Sequence, residues 1–187
     1  MRRGFRSQAT LIWITSGYLL WLTGCQRANP IAGLTAQVQR VVSGQSLEVL
    51  DPSGGTPSLK RVRLMGIAAP DLQQQPWGIA AKKKLEELVS TRRQLGLQSV
   101  VLEFEGQEKD RFGRRLAYVW HDRTLVNETL VAQGYVLADV SPDSKYCQRL
   151  IRAQEYARLM GYGIWNPKQP MRLTPQEFRS KHRSNTR

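Results

Sequence analysis

Hydrophobic and polar residues alternate over short stretches in much of the chain after residue 35, which is the pattern of β-strands with one buried face. Turns containing glycine or polar residues separate these stretches, as at Ser43-Gly44. Each stretch is about as long as an ordinary strand. The pattern predicts five strands, over residues 36–42, 45–50, 59–65, 100–104 and 116–120.

Apolar residues recur with helical spacing in three other segments. In the first of them, Ala81, Leu85 and Leu88 recur four and three residues apart and form one apolar face. Gly134 and Gly161 end the other two, and a glycine just past the last turn is a common end of a helix. The spacing predicts helices near residues 78–90, 126–134 and 145–160.

The order of these elements indicates the fold class. Three strands, a helix, two strands and two helices are typical of an α+β domain, and we expect a five-stranded OB-fold β-barrel with three helices. The domain is expected to span residues 37–167. The polar and basic residues 168–187 are expected to form a mobile tail with a weak helix over 174–181.

The N-terminal region has the features of a targeting signal. Three arginines precede an apolar stretch over residues 9–22, which is shorter than the roughly twenty residues that a membrane-spanning helix needs. The stretch ends in Leu22-Thr23-Gly24-Cys25, which resembles the bacterial lipobox, where cleavage before the cysteine exposes it to acylation. An uncleaved N-terminal anchor is the alternative interpretation.

Cleavage at this site would define the remaining boundaries. Residues 1–24 would be a lipoprotein signal peptide, Cys25 the lipidated residue, and residues 25–36 a tether. The protein is then expected in the bacterial cell envelope, attached to a membrane by its lipid on the extracytoplasmic side. Cys147 would have no intramolecular disulfide partner, and we expect it to be a small buried hydrophobic residue.

The charge of the chain indicates the kind of partner. The 187 residues favour one domain, and 28 Lys+Arg outnumber 15 Asp+Glu, for a formal net charge of +13. An excess of this size favours binding to a polyanion, either nucleic acid or an anionic surface. Two cysteines in the whole chain exclude a disulfide framework and a cysteine-based zinc cluster.

Five short motifs, spread from residue 63 to residue 165, carry the candidate chemistry. They are Arg63-Leu-Met-Gly-Ile-Ala-Ala-Pro70-Asp71, Pro76-Trp77-Gly78, Asp110-Arg111-Phe112-Gly113-Arg114, Val126-Asn127-Glu128 and Gly161-Tyr-Gly-Ile164-Trp165. In this order and at these distances they resemble the thermonuclease family, the staphylococcal-nuclease-like domains. The resemblance covers nearly all of the predicted domain. It implies an OB-fold barrel with three helices and calcium-assisted hydrolysis of DNA and RNA phosphodiesters.

The resemblance assigns catalytic roles to three residues. Arg63 and Arg114 match the family's two catalytic arginines, and Asp71 stands where the family has a glutamate. Attack on a phosphodiester builds negative charge on the phosphate oxygens, which forked guanidinium groups are suited to bind. A carboxylate then orients or deprotonates the attacking water. Asp110 is expected either to hold the loop that carries Arg114 or simply to cap its turn.

The calcium ligands of the family are missing from this sequence. Its acidic motif Asp-Gly-Asp-Thr is Ser-Gly-Gln-Ser at residues 43–46, so Gln45 replaces one metal-binding carboxylate, and Ala68 replaces the second. Calcium is held by clustered carboxylate oxygens, and the charge of the ligands sets the affinity. Although calcium is the cofactor of the family, we therefore expect no cofactor and no metal site here.

Two functions are consistent with these residues. One is a weak or metal-independent phosphodiester endonuclease on DNA or RNA. The other is a catalytically inactive nucleic-acid-binding OB-fold lipoprotein, whose charge would come from the arginines, the basic tail and the lysines 82–84. A solvated helix face also explains those lysines, and a purely structural lipoprotein would leave Arg63 and Arg114 unexplained. Either function implies nucleic acid and a membrane as partners, and we expect a monomer.

Overall fold

The computed structural model describes residues 31–90, 98–106 and 109–184. The predicted signal peptide and Cys25 lie outside the described residues, as does the first part of the predicted tether. Among the residues that are described, none of the helices is long and apolar enough to cross a membrane.

Eight strands and four helices make up the regular structure of the described residues. The strands are β1 (Leu34–Ser43), β2 (Ser46–Asp51), β3 (Ser58–Leu64), β4 (Ile67–Ala68), β5 (Gln98–Glu103), β6 (Arg115–His121), β7 (Thr124–Leu125) and β8 (Leu137–Ala138). The helices are α1 (Trp77–Val89), α2 (Val126–Ala132), α3 (Cys147–Met160) and α4 (Pro175–Ser184). The five long strands are the five predicted ones, and α1, α2 and α3 are the three predicted helices.

The five long strands close into a barrel. β3, β2, β1, β5 and β6 pair in that order, each antiparallel to the next, and β3 also pairs in parallel with β6. The register of this closing pair places Arg63 beside Leu116. Alternate residues of β3 face the interior, where Val62 and Leu64 are fully buried. The predicted α+β OB-fold barrel is confirmed.

The first three helices cover the barrel with apolar faces. Leu85 of α1, Leu130 of α2 and Leu150 of α3 are all fully buried and belong to the same core as the barrel interior. Burial of a leucine side chain contributes roughly 1.5–3 kcal/mol to folding. Cys147, at the start of α3, is a buried free cysteine, as predicted.

Helix α4 lies within residues 168–187, which we expected to be a mobile tail. Its start is capped, because the backbone N–H and the hydroxyl of Thr174 donate to the Glu177 carboxylate at 2.7 and 2.8 Å. The side-chain amide of Gln74 also donates to the Leu173 carbonyl at 2.7 Å. The weak helix expected over 174–181 is therefore a capped helix in a segment that is bonded to the domain, and the helix count rises from three to four.

Candidate active site

The closing strand pair brings Arg63 and Arg114 together. Arg63 lies on β3 beside Leu116 of β6, and Arg114 precedes Leu116 by two residues. Arg114 is the residue just before β6, so carrying the alternation of β6 back by one position puts its side chain on the side of Leu116 and Arg63. Each side chain is 22% exposed. Burial lowers the pKa of Arg63, and the nearby charge of Arg114 lowers it further.

Arg63 keeps most of its hydrogen-bonding capacity. Its Nη2 donates to the Ile67 carbonyl at 3.3 Å and lies 3.9 Å from the carboxylate of Asp139, which is 65% exposed. A guanidinium has five N–H donors, so these contacts orient the group and leave donors for a ligand. The arrangement suits a phosphate that approaches from solvent.

Asp110 fixes the position of Arg114. One carboxylate oxygen accepts the backbone N–H groups of Phe112 and Arg114 at 2.9 and 3.0 Å. The other accepts Nε and Nη2 of Arg114 at 2.8 and 2.7 Å. Burial opposes ionisation of Asp110, but the hydrogen bonds from Arg114 and Phe112 outweigh it and lower the pKa. Asp110 therefore both caps the turn and holds the arginine, which makes it a positioning residue.

Asp71 lies in the loop between β4 and α1. Its carboxylate accepts the backbone N–H of Gln73 at 3.0 Å, and its carbonyl accepts that of Gln74 at 2.8 Å. Among the described residues, it forms no ion pair or hydrogen bond with Arg63 or Arg114. The two predicted catalytic arginines thus lie together, and the carboxylate of the third predicted catalytic residue is, among the described residues, hydrogen-bonded only within its own loop.

Gly78 determines how closely this loop approaches α1. A Cβ atom added at Gly78 would lie 1.9 Å from the Asp71 carbonyl oxygen, which is far inside van der Waals contact. Only glycine therefore lets the first turn of α1 pack on Asp71. This contact explains the glycine of the Pro76-Trp77-Gly78 motif.

The residues at the family's calcium position do not fit a calcium ion. The side-chain oxygen of Gln45 accepts the backbone N–H of Ala69 at 2.7 Å, and Ala68 has no oxygen to offer. The Cβ of Ala69 lies 3.1 Å from the place of a Cβ on Gly44, so the space between the turn and the loop is filled by apolar groups. No group of three His, Cys, Asp or Glu residues that could hold a metal occurs in the described part of the chain. Calcium needs several oxygen ligands, most of them charged.

A groove of about 550 Å³ lies beside Arg114, and the sequence did not point to it. Phe112 is 64% exposed there, with the guanidinium groups of Arg111 and Arg114 at 4.8 and 5.3 Å from its ring centre. Arg61 lines the same groove and leaves β3 on the same side as Arg63. The alternation Arg61-Val62-Arg63 was the available signal, since it puts two cations on one strand face.

Asn127 also has a structural role that the sequence did not reveal. It is fully buried; its side-chain oxygen accepts the Val119 N–H at 2.9 Å and its amide donates to the Met65 carbonyl at 2.8 Å. These bonds tie β6 to the chain just after β3. The motif Val126-Asn127-Glu128 therefore supports the strand pair on which the two arginines stand.

Comparison with known proteins shows that the sequence of this chain is similar to those of nucleases. The family model described as "Staphylococcal nuclease homologue" matches residues 61–167, a range that contains Arg63, Asp71 and Arg114. The thermonuclease of Staphylococcus hyicus is 35% identical over 138 residues, which are 71% of this chain and 76% of the relative. The thermonuclease of Staphylococcus intermedius is 32% identical over 144 residues, 74% and 80% of the two chains. An uncharacterized endonuclease of Haemophilus influenzae is 33% identical over 178 residues, 93% and 88% of the two chains.

Proposed function

The chain belongs to the staphylococcal nuclease family, and we propose that it binds DNA or RNA through Arg63 and Arg114 and hydrolyses phosphodiester bonds slowly, without calcium. The observation that carries this proposal is that Arg63 stands beside Leu116 at the barrel closure, with Arg114 two residues before Leu116 and close enough for its charge to act on Arg63. Two permanently charged, forked groups on one face suit a phosphate in the ground state and the extra charge of its transition state.

Asp71 is the carboxylate proposed to activate water. The water oxygen would attack phosphorus, its proton would pass to the Asp71 carboxylate, and the bond to the leaving oxygen would break. Aspartate is one methylene shorter than the family's glutamate, and a displacement of about 1 Å can cost on the order of 10²-fold in rate. The contacts of Asp71 within its own loop are a second reason to expect slow cleavage.

The second candidate function is nucleic-acid binding without catalysis. It is favoured by Asp71, whose carboxylate forms no hydrogen bond or ion pair with either arginine among the described residues. The two candidates share the arginine pair and differ only in whether Asp71 can activate water. Binding and cleavage therefore have to be measured separately on the same preparations.

The test uses the full chain in detergent, with binding and cleavage of single-stranded DNA measured in calcium and in chelator. We expect salt-dependent binding, with slow cleavage at the same rate in both conditions, and loss of both in Arg63→Ala and Arg114→Ala. Arg123→Ala is the matched control, because this exposed arginine follows the far end of β6, about 20 Å along the strand. Binding without cleavage would establish the second candidate, and fast calcium-stimulated cleavage would overturn the proposed independence of metal.

We also propose that the protein is a lipoprotein anchored on the extracytoplasmic side of a bacterial membrane through Cys25. The support is the Leu22-Thr23-Gly24-Cys25 sequence after a short apolar stretch. Cys25→Ala should abolish labelling by a fatty-acid analogue and release the protein from membranes. Cys147→Ala is the control and should leave both unchanged. Membrane retention of the Cys25 variant would instead favour an uncleaved anchor.

A further inference from the structure

The segment after residue 167 lies beyond the range that the family model matches, yet it packs against the loop that carries Asp71. Gln74, three residues after Asp71, is 3% exposed and holds the Leu173 carbonyl through its side-chain amide. Trp77 and Phe178 line the same hollow of about 540 Å³ between this loop and the segment. The loop is therefore bonded to the residues just before α4, and Phe178 of α4 faces the same hollow as the loop.

Two features hold the first turn of α4 in this place. Thr174 and Glu177 form a reciprocal cap, since the Glu177 N–H also donates to the Thr174 hydroxyl at 3.3 Å. Phe178 is half-buried against the loop and stacks on the His182 ring at 4.0 Å. Arg179 directly follows Phe178 and is half-buried as well.

Arg179 is close enough to Arg63 for their charges to interact. The pKa of Arg63 is lowered first by burial and then by Arg114; Asp139 and Asp110 oppose this, and Arg179 lowers the pKa further. The charges of Arg114 and Arg179 thus both act on Arg63, with Asp110 already paired to Arg114 and Asp139 mostly exposed. Like charges held near each other repel, and a bound anion relieves that repulsion.

We propose that Arg179 is a third phosphate-binding arginine, which α4 presents beside Arg63 so that the C-terminal segment forms part of the nucleic-acid site. This inference rests on the proposed function and extends it to a helix outside the matched family range. The ligand is the backbone of single-stranded nucleic acid, whose successive phosphates can contact Arg179 and the Arg63–Arg114 pair together. A groove lined by cations that follows the backbone is the usual way to bind a single strand without sequence preference.

The experiment measures the affinity of the full chain for a short fluorescent single-stranded DNA over a series of salt concentrations. Each phosphate contact contributes about 0.7 to the slope of log K against log salt. Arg179→Ala should lower this slope by about 0.7 and weaken binding about fivefold at 0.1 M salt. Arg179→Lys should retain most of the slope, and Arg123→Ala, which removes the same charge elsewhere, should leave it unchanged.

The variants separate this inference from the proposed function. If Arg63→Ala weakens binding and Arg179→Ala leaves the slope at the wild-type value, the third arginine is refuted and the arginine pair stands. If Arg123→Ala lowers the slope as much as Arg179→Ala does, the effect comes from net charge and the inference is also refuted. If the wild type binds no DNA, both the role of Arg179 and the proposed function are refuted. Unfolding curves of the Arg179 and Arg123 variants should match the wild type, since both arginines retain some contact with solvent.

Discussion

The side-chain oxygen of Gln45 accepts the backbone N–H of Ala69 at 2.7 Å and so links the turn between β1 and β2 to the loop after β4. These are the two segments that would carry the metal carboxylates in a calcium-dependent relative. A neutral hydrogen bond therefore joins the two segments in which the family's calcium ligands would stand. The link needs no ion, and its loss should be visible as a loss of stability.

Gln45→Ala should lower the free energy of unfolding by about 1–3 kcal/mol, because the Ala69 N–H loses its partner in a buried position. Urea unfolding followed by tryptophan fluorescence measures this change. Gln37→Ala, an exposed glutamine of β1, is the matched control and should stay within about 0.5 kcal/mol of the wild type. Equal stability of the two variants would show that the hydrogen bond contributes nothing.

Calcium should leave the melting temperature of the wild type unchanged, because Ala68 has no oxygen and the side-chain oxygen of Gln45 is neutral and already accepts the Ala69 N–H. The triple variant Gln45→Asp, Ala68→Asp, Asp71→Glu should instead be stabilised by calcium. A metal that binds only the folded state adds about 4 kcal/mol at a concentration of about a thousand times its Kd. Thermal unfolding with calcium or chelator measures both effects, and a calcium shift in the wild type would contradict the assignment.

Glu48 should make the stability depend on acid pH. Its hydrogen bonds from Arg40 and Arg61 hold its pKa at about 2, against an ordinary value of 4.5. A lowered folded-state pKa stabilises the protein above pH 4.5, and this contribution is lost as the pH falls towards 2. Glu48→Gln should flatten the stability profile in that window. Glu87→Gln, an exposed carboxylate of α1, should leave the profile as steep as in the wild type.

Gly78→Ala should destabilise the protein by about 2 kcal/mol, because the new Cβ would lie 1.9 Å from a backbone oxygen that cannot rotate away. Gly54→Ala is the control: its Cβ would meet nothing closer than 4.0 Å, so the change should be within about 0.5 kcal/mol. Chemical unfolding compares the two. If Gly78→Ala is as stable as the wild type, the loop of Asp71 can move away from α1, and the close contact is not required.

The sequence predicted the barrel and the arginine pair because both have local signals. The five long strands alternate over six to ten residues, and the motifs around Arg63 and Arg114 are contiguous. β4, β7 and β8 have two residues each, too few to show any period. β4 and β8 pair with each other over a long stretch of the chain, as Ile67 does with Ala138, whereas β7 only folds back on β6, where Trp120 pairs with Leu125.

Helix α4 has the Thr174-x-x-Glu177 spacing of a capped helix start, but nothing local indicates that it docks on the domain. Its apolar content within the described residues is a single large side chain, Phe178, so its sequence is typical of a solvated tail. The residues just before the helix are bonded to the domain through Gln74 and Leu173, which are 99 residues apart in the sequence. A hydrogen bond between residues so far apart in the sequence does not show in the hydrophobic pattern, and for this reason Arg179 was not among the predicted site residues.

The parallel pairing of β3 with β6 fixes which face of the sheet carries the two arginines. A slip of one residue in this register would bring Arg63 level with Arg115 or Ala117 instead of Leu116, so that Arg63 and Arg114 would no longer share a face of the sheet. Such a slip would cost the fold as much as the site, so selection on folding alone preserves the spacing of the two cations. The spacing of the two cations is therefore a consequence of how the barrel closes, whereas the identity of each side chain at those positions is not.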